Sequence, residues 1–368
     1  MTPEEVFVTE GYPEHTYVDR DDGKADRDLK DALSQKSKIV SIIGASKTGK
    51  TTLCDRFFGR QKGTTKILVT GDAISSPDAF WSEAYRQLKG ERSSTYFEVS
   101  FIFAKDEFVQ RGLPIIIDDF HYIEPDVQRQ LCRQMKNAAS EGIRFIILNT
   151  PHRGDDPVRN NPDLAGRFYS IDVGFWNLRD LAQIAVKGFK ALGINSDAEV
   201  IDALASESLG SPQLMQTLCL ETCRLLNVDI PYEQQSITAD AFSLPTVRNQ
   251  AIRTYDQATQ LHYLTEGRPE RGKERRTHAF LDGTNGDLYQ ALVKVLRTDP
   301  PFNKITLGEM KERLRGICSD DPPPNIAGAL EQLPKLFRDG PPPIEWDADK
   351  LLLTIVDPHF YFYLRCAE

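Results

Sequence analysis

The sequence predicts an α/β fold: a parallel sheet wound with helices, then a helical segment, then a small domain of helices closed by a hairpin. Three observations carry this reading. A β-branched strand breaks into the run Gly44-Ala45-Ser46-Lys47-Thr48-Gly49-Lys50-Thr51-Thr52 and continues as a helix. Between about residues 30 and 175, apolar strand-like runs alternate with amphipathic stretches, the pattern of a sheet built from βαβ units. From about residue 286, three short amphipathic stretches precede two strand-like runs separated by Asp347-Ala348-Asp349.

The first strand, Lys38–Ile43, runs directly into G-x-x-x-x-G-K-T, the P-loop pattern in the strand-to-helix setting it requires. Gly44 and Gly49 let the backbone turn tightly and aim successive N–H groups into one concavity, where phosphate oxygens replace water. The helix Lys50–Phe58 adds the positive end of its dipole. Such a loop predicts a nucleoside di- or triphosphate with Mg²⁺. Lys50 is expected to reach the β- and γ-phosphates, and the Thr51 hydroxyl to ligate the metal.

Lys66–Thr70 reads as the second strand, and Ser76-Pro77-Asp78 opens the helix Ser76–Leu88 with an N-cap, a proline at the first helical position and an early acid. A further helix lies near Glu98–Gln110. Leu113–Asp118 is an apolar run ending in two carboxylates, Asp118 and Asp119, and reads as a buried parallel strand whose C-terminal end faces a ligand crevice. Asp118 is expected to hold Mg²⁺ through water. Asp119 is a general base for the attacking water, a cap for the helix at Pro125 or a solvated loop acid. The helix Glu124–Ala139 and the strands Arg144–Asn149 and Phe168–Val173 complete the core.

From Asn177 to Leu226 the pattern becomes helical throughout, with Gly210-Ser211-Pro212 breaking the chain between Asp197–Ala205 and Ser211–Leu226. The stretch Arg268–Arg276 is polar and punctuated by glycine and proline, a surface segment whose bases are either solvated or set against phosphate. Beyond it, Asp287–Arg297, Leu307–Ile317 and Asn325–Phe337 followed by the hairpin give the winged-helix order, a helix-turn-helix variant. The third of these helices carries bases only near its end, at Lys335 and Arg338, and acids outnumber bases across the domain. DNA reading is therefore placed below a protein-contact role.

The bulk numbers bound the rest. A chain of 368 residues with 40% hydrophobic and 27% charged content is long enough for two or three domains with real cores. No apolar run is long enough to span a bilayer, and the acidic start Met1-Thr2-Pro3-Glu4-Glu5 lacks a signal-peptide pattern. Six scattered cysteines without metal spacing fit a reducing cytoplasm, and Cys219 and Cys223 fall in an apolar helical pattern. The net charge of −9 argues against a surface devoted to nucleic acid.

With these motifs in view, the chain resembles the origin-recognition-type AAA+ ATPases and the related STAND (signal-transduction) ATPases. The likeness covers nearly the whole chain. It implies a P-loop NTPase sheet of the additional-strand kind, with a strand inserted between the two nucleotide-motif strands, a helical lid and a C-terminal winged helix. The implied division is an adenine-side segment at 1–35, the core at 36–175, the lid at 176–240, a linker at 241–285 and the winged helix at 286–368.

The resemblance also carries residue roles. Tyr17 and Val18 stand where these families wrap the adenine, although both equally suit ordinary packing. Asn149 matches the polar sensor that bonds the attacking water or γ-phosphate. Arg153, in Thr150-Pro151-His152-Arg153, matches the STAND habit of a Thr-x-Arg ending with one extra residue, so either it or Asn149 senses phosphate. Arg167 stands where AAA+ proteins place a finger acting on a neighbour's nucleotide, its alternative being a surface arginine at a helix end. Pro212 matches the Gly-x-Pro signature of STAND lids, and Gln213, Leu214 and Met215 follow it in place of a sensor arginine. His359 is a weaker match to a histidine placed on a bound diphosphate, its alternative being packing.

The implied function is an ATP-binding, slowly hydrolysing switch that controls self-association or a separately encoded protein effector, with prokaryotic defence among its settings. The alternative is a DNA-binding ATPase of the initiator or transposition-regulator type. Neither needs a membrane.

Overall fold

The structure, a computed structural model, describes residues 1–35, 37–59, 66–90, 99–150, 166–226, 236–268, 275–319, 322–323, 326–338 and 340–367. Its contacts divide the chain into two units. The sheet unit comprises Asp19–Gly44 and Thr48–Gly174, and the helical unit comprises Met1–Val18, Ala45–Lys47 and Phe175–Glu368. The chain opens with one helical turn, α1 (Pro3–Val6), closed by a capping box between Thr2 and Glu5.

In the sheet unit, the strands β1 (Ile39–Ile43), β2 (Ile67–Thr70), β3 (Ile115–Asp118), β4 (Phe145–Asn149) and β5 (Phe168–Asp172) lie in the order β2-β3-β4-β1-β5, all parallel. The strand β4 therefore stands between the P-loop strand and the Asp118 strand, as the inserted-strand expectation required. Alternate residues divide between the two faces, because strand side chains alternate with a period of two. Ile39, Ile115, Ile117, Phe145 and Ile147 pack on one face with Phe80, Trp81, Phe108, Leu131 and Met135. Val40, Ile42, Ile116, Ile146 and Leu148 pack on the other with Leu29, Ala32, Leu53 and Cys54.

The helices of this unit are α2 (Lys24–Ser34), α3 (Lys50–Phe58), α4 (Pro77–Lys89), α5 (Phe101–Arg111) and α6 (Pro125–Ser140). The Ser76 hydroxyl caps α4 by accepting the Ala79 N–H at 3.0 Å. Trp81 is fully buried, and its indole N–H donates to Gln134 at 2.7 Å, so its polar atom is satisfied inside the core.

The helical unit contains α7 (Leu178–Ala191), α8 (Ala198–Glu207) and α9 (Pro212–Leu225), with Ser211 as the N-cap of α9. The sequence predicts helix alone from Asn177 to Leu226. The structure adds a two-residue strand, β6 (Asn195–Ser196), paired in parallel with β7 (Ser236–Ile237). Residues 241–285, read as a linker, hold α10 (Leu244–Ala251), α11 (Ala258–Glu266) and β8 (His278–Ala279), which pairs with β9 (Asn285–Gly286).

Next come α12 (Leu288–Arg297), β10 (Lys304–Thr306), α13 (Leu307–Ile317), α14 (Ile326–Gln332), β11 (Ile344–Asp347), β12 (Leu352–Ile355) and α15 (Pro358–Cys366). The three strands form an antiparallel sheet in the order β10-β12-β11. The helix expected over Asn325–Phe337 stops at Gln332 and continues as a 3₁₀ turn around Pro334, whose ring nitrogen has no hydrogen to give. The C-terminal aromatics are core residues: Phe360, Tyr361 and Phe362 are fully buried, and Phe360 meets Phe337 edge-on at 5.7 Å.

All six cysteines are free thiols. Cys54, Cys132, Cys219, Cys223 and Cys318 are buried, and Cys366 is half-buried. Among the described residues, no helix is long and apolar enough to cross a membrane.

Candidate functional site

The parallel register brings the C-terminal ends of β1, β3 and β4 into one row. Ile43 lies opposite Asn149, and Ile117 lies opposite Ile147. In open parallel sheets this edge is where ligands bind. The Gly44 N–H donates to the Asn149 carbonyl at 3.1 Å, tying the start of the P-loop to the end of β4. Gly49, at φ +87°, makes the left-handed turn from which α3 departs.

Four sequence-predicted residues of the sheet unit converge here. The Thr51 hydroxyl donates to Asp118 Oδ2 at 2.8 Å. The Lys50 ammonium, on a buried side chain, donates to the Gly44 carbonyl at 2.9 Å. The Asp119 N–H donates to Asp118 Oδ1 at 3.0 Å. Burial raises the Asp118 pKa above the ordinary carboxylate value; the Thr51 hydrogen bond opposes this, Asp119 adds to it, and Lys50 opposes it. Asn149 joins them at the end of β4, and its amide nitrogen is buried without a hydrogen-bond partner. A buried donor of this kind costs stability until something accepts from it.

Asp119 adopts φ +52°, the left-handed conformation, at the head of the 3₁₀ turn Phe120–Tyr122. The N-cap of α6 is Glu124, so Asp119 does not cap the Pro125 helix. Two features here escaped the sequence reading. Gly71, just past β2, lies against the Asp119 carbonyl so closely that a Cβ atom would sit 2.2 Å from it. Gln128 donates to the Phe120 carbonyl at 2.9 Å and holds the same turn. The only sequence signal for the first was a glycine closing a strand.

Arg167 lies at the other end of the sheet. Its carbonyl accepts the N–H of Ile39, the first residue of β1, and its guanidinium donates to the Ser140 hydroxyl at 3.1 Å, at the end of α6. It is therefore not gathered with Lys50 and Asp118. Arg153 lies outside the described residues, as does most of the basic stretch Arg268–Arg276.

Within the helical unit, the Tyr17 ring stacks on Tyr12 at 5.6 Å, its carbonyl accepts from Lys187 at 2.6 Å, and Val18 is buried in the apolar core. Pro212 opens α9. The P-loop residues Ala45, Ser46 and Lys47 group with this unit: the Ser46 N–H donates to the Val356 carbonyl at 2.9 Å, and the Ser211 hydroxyl donates to the Lys47 carbonyl at 3.2 Å. His359 is buried and stacks on Tyr255 at 3.9 Å.

Among the described residues, no cluster of three or more His, Cys, Asp or Glu side chains is placed to hold a metal. Mg²⁺ needs no such cluster, since it binds through one or two protein oxygens and completes its shell with water and phosphate. Thr51 and Asp118 present such oxygens, and the Asn149 amide nitrogen is a buried donor without a hydrogen-bond partner.

One prediction follows from the burial of Asp118. The carboxyl's pKa is higher in the fold than in the unfolded chain, so its ionised form burdens the fold at neutral pH and that burden lifts as pH falls through the raised value. Asp118→Asn is expected to raise the melting temperature of the nucleotide-free protein by about 2 °C or more. The same change is expected to weaken magnesium-dependent ATP binding about tenfold. Calorimetric melting and titration check both signs.

A family model described as an AAA domain matches residues 33–154. No curated protein matches the chain. Among solved structures, the chain is similar to the Walker-type ATPase paby2304 of Pyrococcus abyssi, with 14% identity, 94% of this chain and 95% of that one covered, and a TM-score of 0.57. It is also similar to the Orc1 protein of Aeropyrum pernix in complex with DNA (11% identity, 98% and 95% covered, TM-score 0.51) and to Cdc6p of Pyrobaculum aerophilum (14%, 99% and 96%, 0.50). Matched over residues 33–154 by the AAA-domain family and carrying the five-stranded parallel order β2-β3-β4-β1-β5, the chain has the P-loop NTPase fold of the AAA+ type.

Proposed function

We propose that the protein binds ATP with Mg²⁺, hydrolyses it slowly, and uses the difference between the two nucleotide states to control its own assembly or a separate protein effector. The observation that carries this reading is the convergence of Lys50, Thr51 and Asp118 beside the partnerless amide of Asn149. The bound ion would neutralise charge on the phosphates. Lys50 exchanges the Gly44 carbonyl for β- and γ-phosphate oxygens. Thr51 and Asp118 would hold the ion, Asp118 through water. Asp119 takes the proton of the attacking water as its oxygen bonds to the γ-phosphorus and ADP departs with the electron pair of the broken bond. Asn149 orients that water or the γ-phosphate. A ligand shifts an equilibrium only through contacts that differ between states, and the γ-phosphate offers those to Asn149.

The STAND form of the switch is supported by Gly210-Ser211-Pro212 at the start of α9, with Gln213, Leu214 and Met215 where AAA+ lids carry an arginine. The exposed setting of the Arg167 guanidinium suits a finger offered to a second copy. Two results test the reading. Asp119→Asn is expected to lower the ATP turnover number about 100-fold while leaving ATP affinity within about threefold of wild type. Mass measured in solution is expected to differ between ADP and a non-hydrolysable ATP analogue. An unchanged monomer in both would remove the assembly role and the finger.

A second reading, a DNA-handling initiator ATPase, is favoured by two observations. The run α12, β10, α13, α14, β11, β12 follows the winged-helix order, and the fold likeness to the Orc1 protein solved with DNA extends over 98% of the chain. It requires duplex binding at low salt with ATP present that weakens steeply as salt rises.

A further inference from the structure

We infer that Gly71 is a positioning residue for Asp119: its missing side chain is what allows the backbone at Asp119 to hold the left-handed conformation at the end of β3. The inference rests on the ATPase reading above and deepens it. Thr70 pairs with Asp118 across β2 and β3, so the next residue of each strand leaves the sheet side by side. Gly71 is buried, and a Cβ built on it would stand 2.2 Å from the Asp119 carbonyl oxygen, 2.9 Å from the Asp119 carbonyl carbon and 3.4 Å from the Asp118 carbonyl oxygen. These neighbours are main-chain atoms, which cannot swing aside as the end of a side chain can.

The peptide they belong to is held on three sides. The Asp119 N–H is bonded to Asp118 Oδ1, its carbonyl accepts the Tyr122 N–H at 3.0 Å, and the following turn is fixed by Gln128 at the Phe120 carbonyl. The Gly71 carbonyl accepts from Ile74 at 3.1 Å, which anchors the opposing strand end as well. An aspartate at φ +52° is conformationally costly, and such a residue persists only where its surroundings over-determine it. A methyl group at 71 forces the two main chains apart and so displaces the Asp118–Asp119 peptide relative to the end of β2. That moves the Asp119 carboxylate relative to the water it deprotonates, while Lys50 and the phosphate loop stay in place.

The test is the turnover number and the ATP dissociation constant of the full-length protein. Gly71→Ala is expected to lower turnover about 10- to 100-fold, because an ångström of misplacement suffices for that, with affinity within about threefold of wild type. In an Asp119→Asn background the same alanine is expected to lower turnover by less than about twofold, since the group it displaces is already disabled. Equal losses in both backgrounds, a parallel loss of ATP affinity, or unchanged turnover would each overturn the inference. Melting of Asp119→Gly against Asp119→Ala gives a second readout that needs neither turnover nor a folded Gly71→Ala. The glycine variant is expected to melt about 2 °C or more higher, as glycine accepts the left-handed conformation freely; an equal or lower midpoint would overturn it. A wild-type protein without ATP turnover would remove the ATPase reading, and the melting comparison would still decide the backbone claim.

Discussion

Lys50→Ala lowers the affinity for ATP and magnesium about 100-fold or more, read by titration calorimetry, while the melting temperature of the nucleotide-free protein holds or rises. The first half follows from chemistry. Lys50 brings the one ammonium of the G-K-T sequence to the end of β1, and a point charge meeting phosphate in a partly dry site is worth several times a neutral hydrogen bond. The second half follows from burial. The Lys50 side chain is only 8% exposed, so the fold keeps a cation largely out of water, its ammonium donating to the Gly44 carbonyl at 2.9 Å. Removing that cation lifts its own desolvation cost and disables the site. Retained affinity would remove the phosphate role of Lys50 and with it the nucleotide reading.

The stability of the helical unit falls on acidification because of His359, by about 2 kcal/mol between pH 8 and pH 5. Burial pushes the His359 pKa down to about 3, and the Lys47 ammonium lowers it further. The sign is fixed by comparing the two states. The unfolded chain takes up a proton near the ordinary value of 6.5, whereas the folded chain refuses it until about 3. Stability is therefore constant above the unfolded value and is lost as pH falls through the window between them. The ring stacks on Tyr255 at 3.9 Å, and its Nε2 is buried without a hydrogen-bond partner, so the neutral form is the one this site tolerates.

Asp357 lies two residues away and acts in the opposite direction. Burial raises its pKa, so its burden lifts as pH falls, although its carboxylate accepts the N–H groups of His359 and Phe360. The measurement is accordingly a difference. Denaturant midpoints of wild type and His359→Phe, which keeps an aromatic ring against Tyr255, are compared at both pH values. The variant is expected to lack about 2 kcal/mol of the acid-induced loss. Equal slopes in the two proteins would show that His359 titrates normally.

Much of this fold was legible because its strands obey a simple rule. Ile39–Ile43, Ile115–Asp118 and Phe145–Asn149 are buried on both faces, so they read as largely apolar runs whose ends carry the polar residues of the site. Lys50, Thr51 and Asp118 could be named because they sit at fixed steps from those runs, whereas Asn149 was named through the family resemblance. The strands of two or three residues, such as β6 and β10, were not legible, since periodicity needs more residues than they contain. The helices α10 and α11 were missed because each buries little of itself: Val247 and Ala251 in one, Leu264 in the other. Gly71 escaped for a different reason. Its importance is a contact with Asp119, distant in the chain, and no local pattern records which backbone passes beneath which.

The distribution of thiols gives the molecule two built-in reporters. Cys54 and Cys132 lie in the sheet unit, while Cys219, Cys223, Cys318 and Cys366 lie in the helical unit. Burial holds the Cys54, Cys223 and Cys366 thiols up at about 12, so in the closed chain almost none is present as reactive thiolate. At the five buried sulfurs an alkylating reagent must wait for the surrounding helices to come apart. The rate at which each sulfur is capped therefore measures the opening of its own half of the polypeptide, with no probe added.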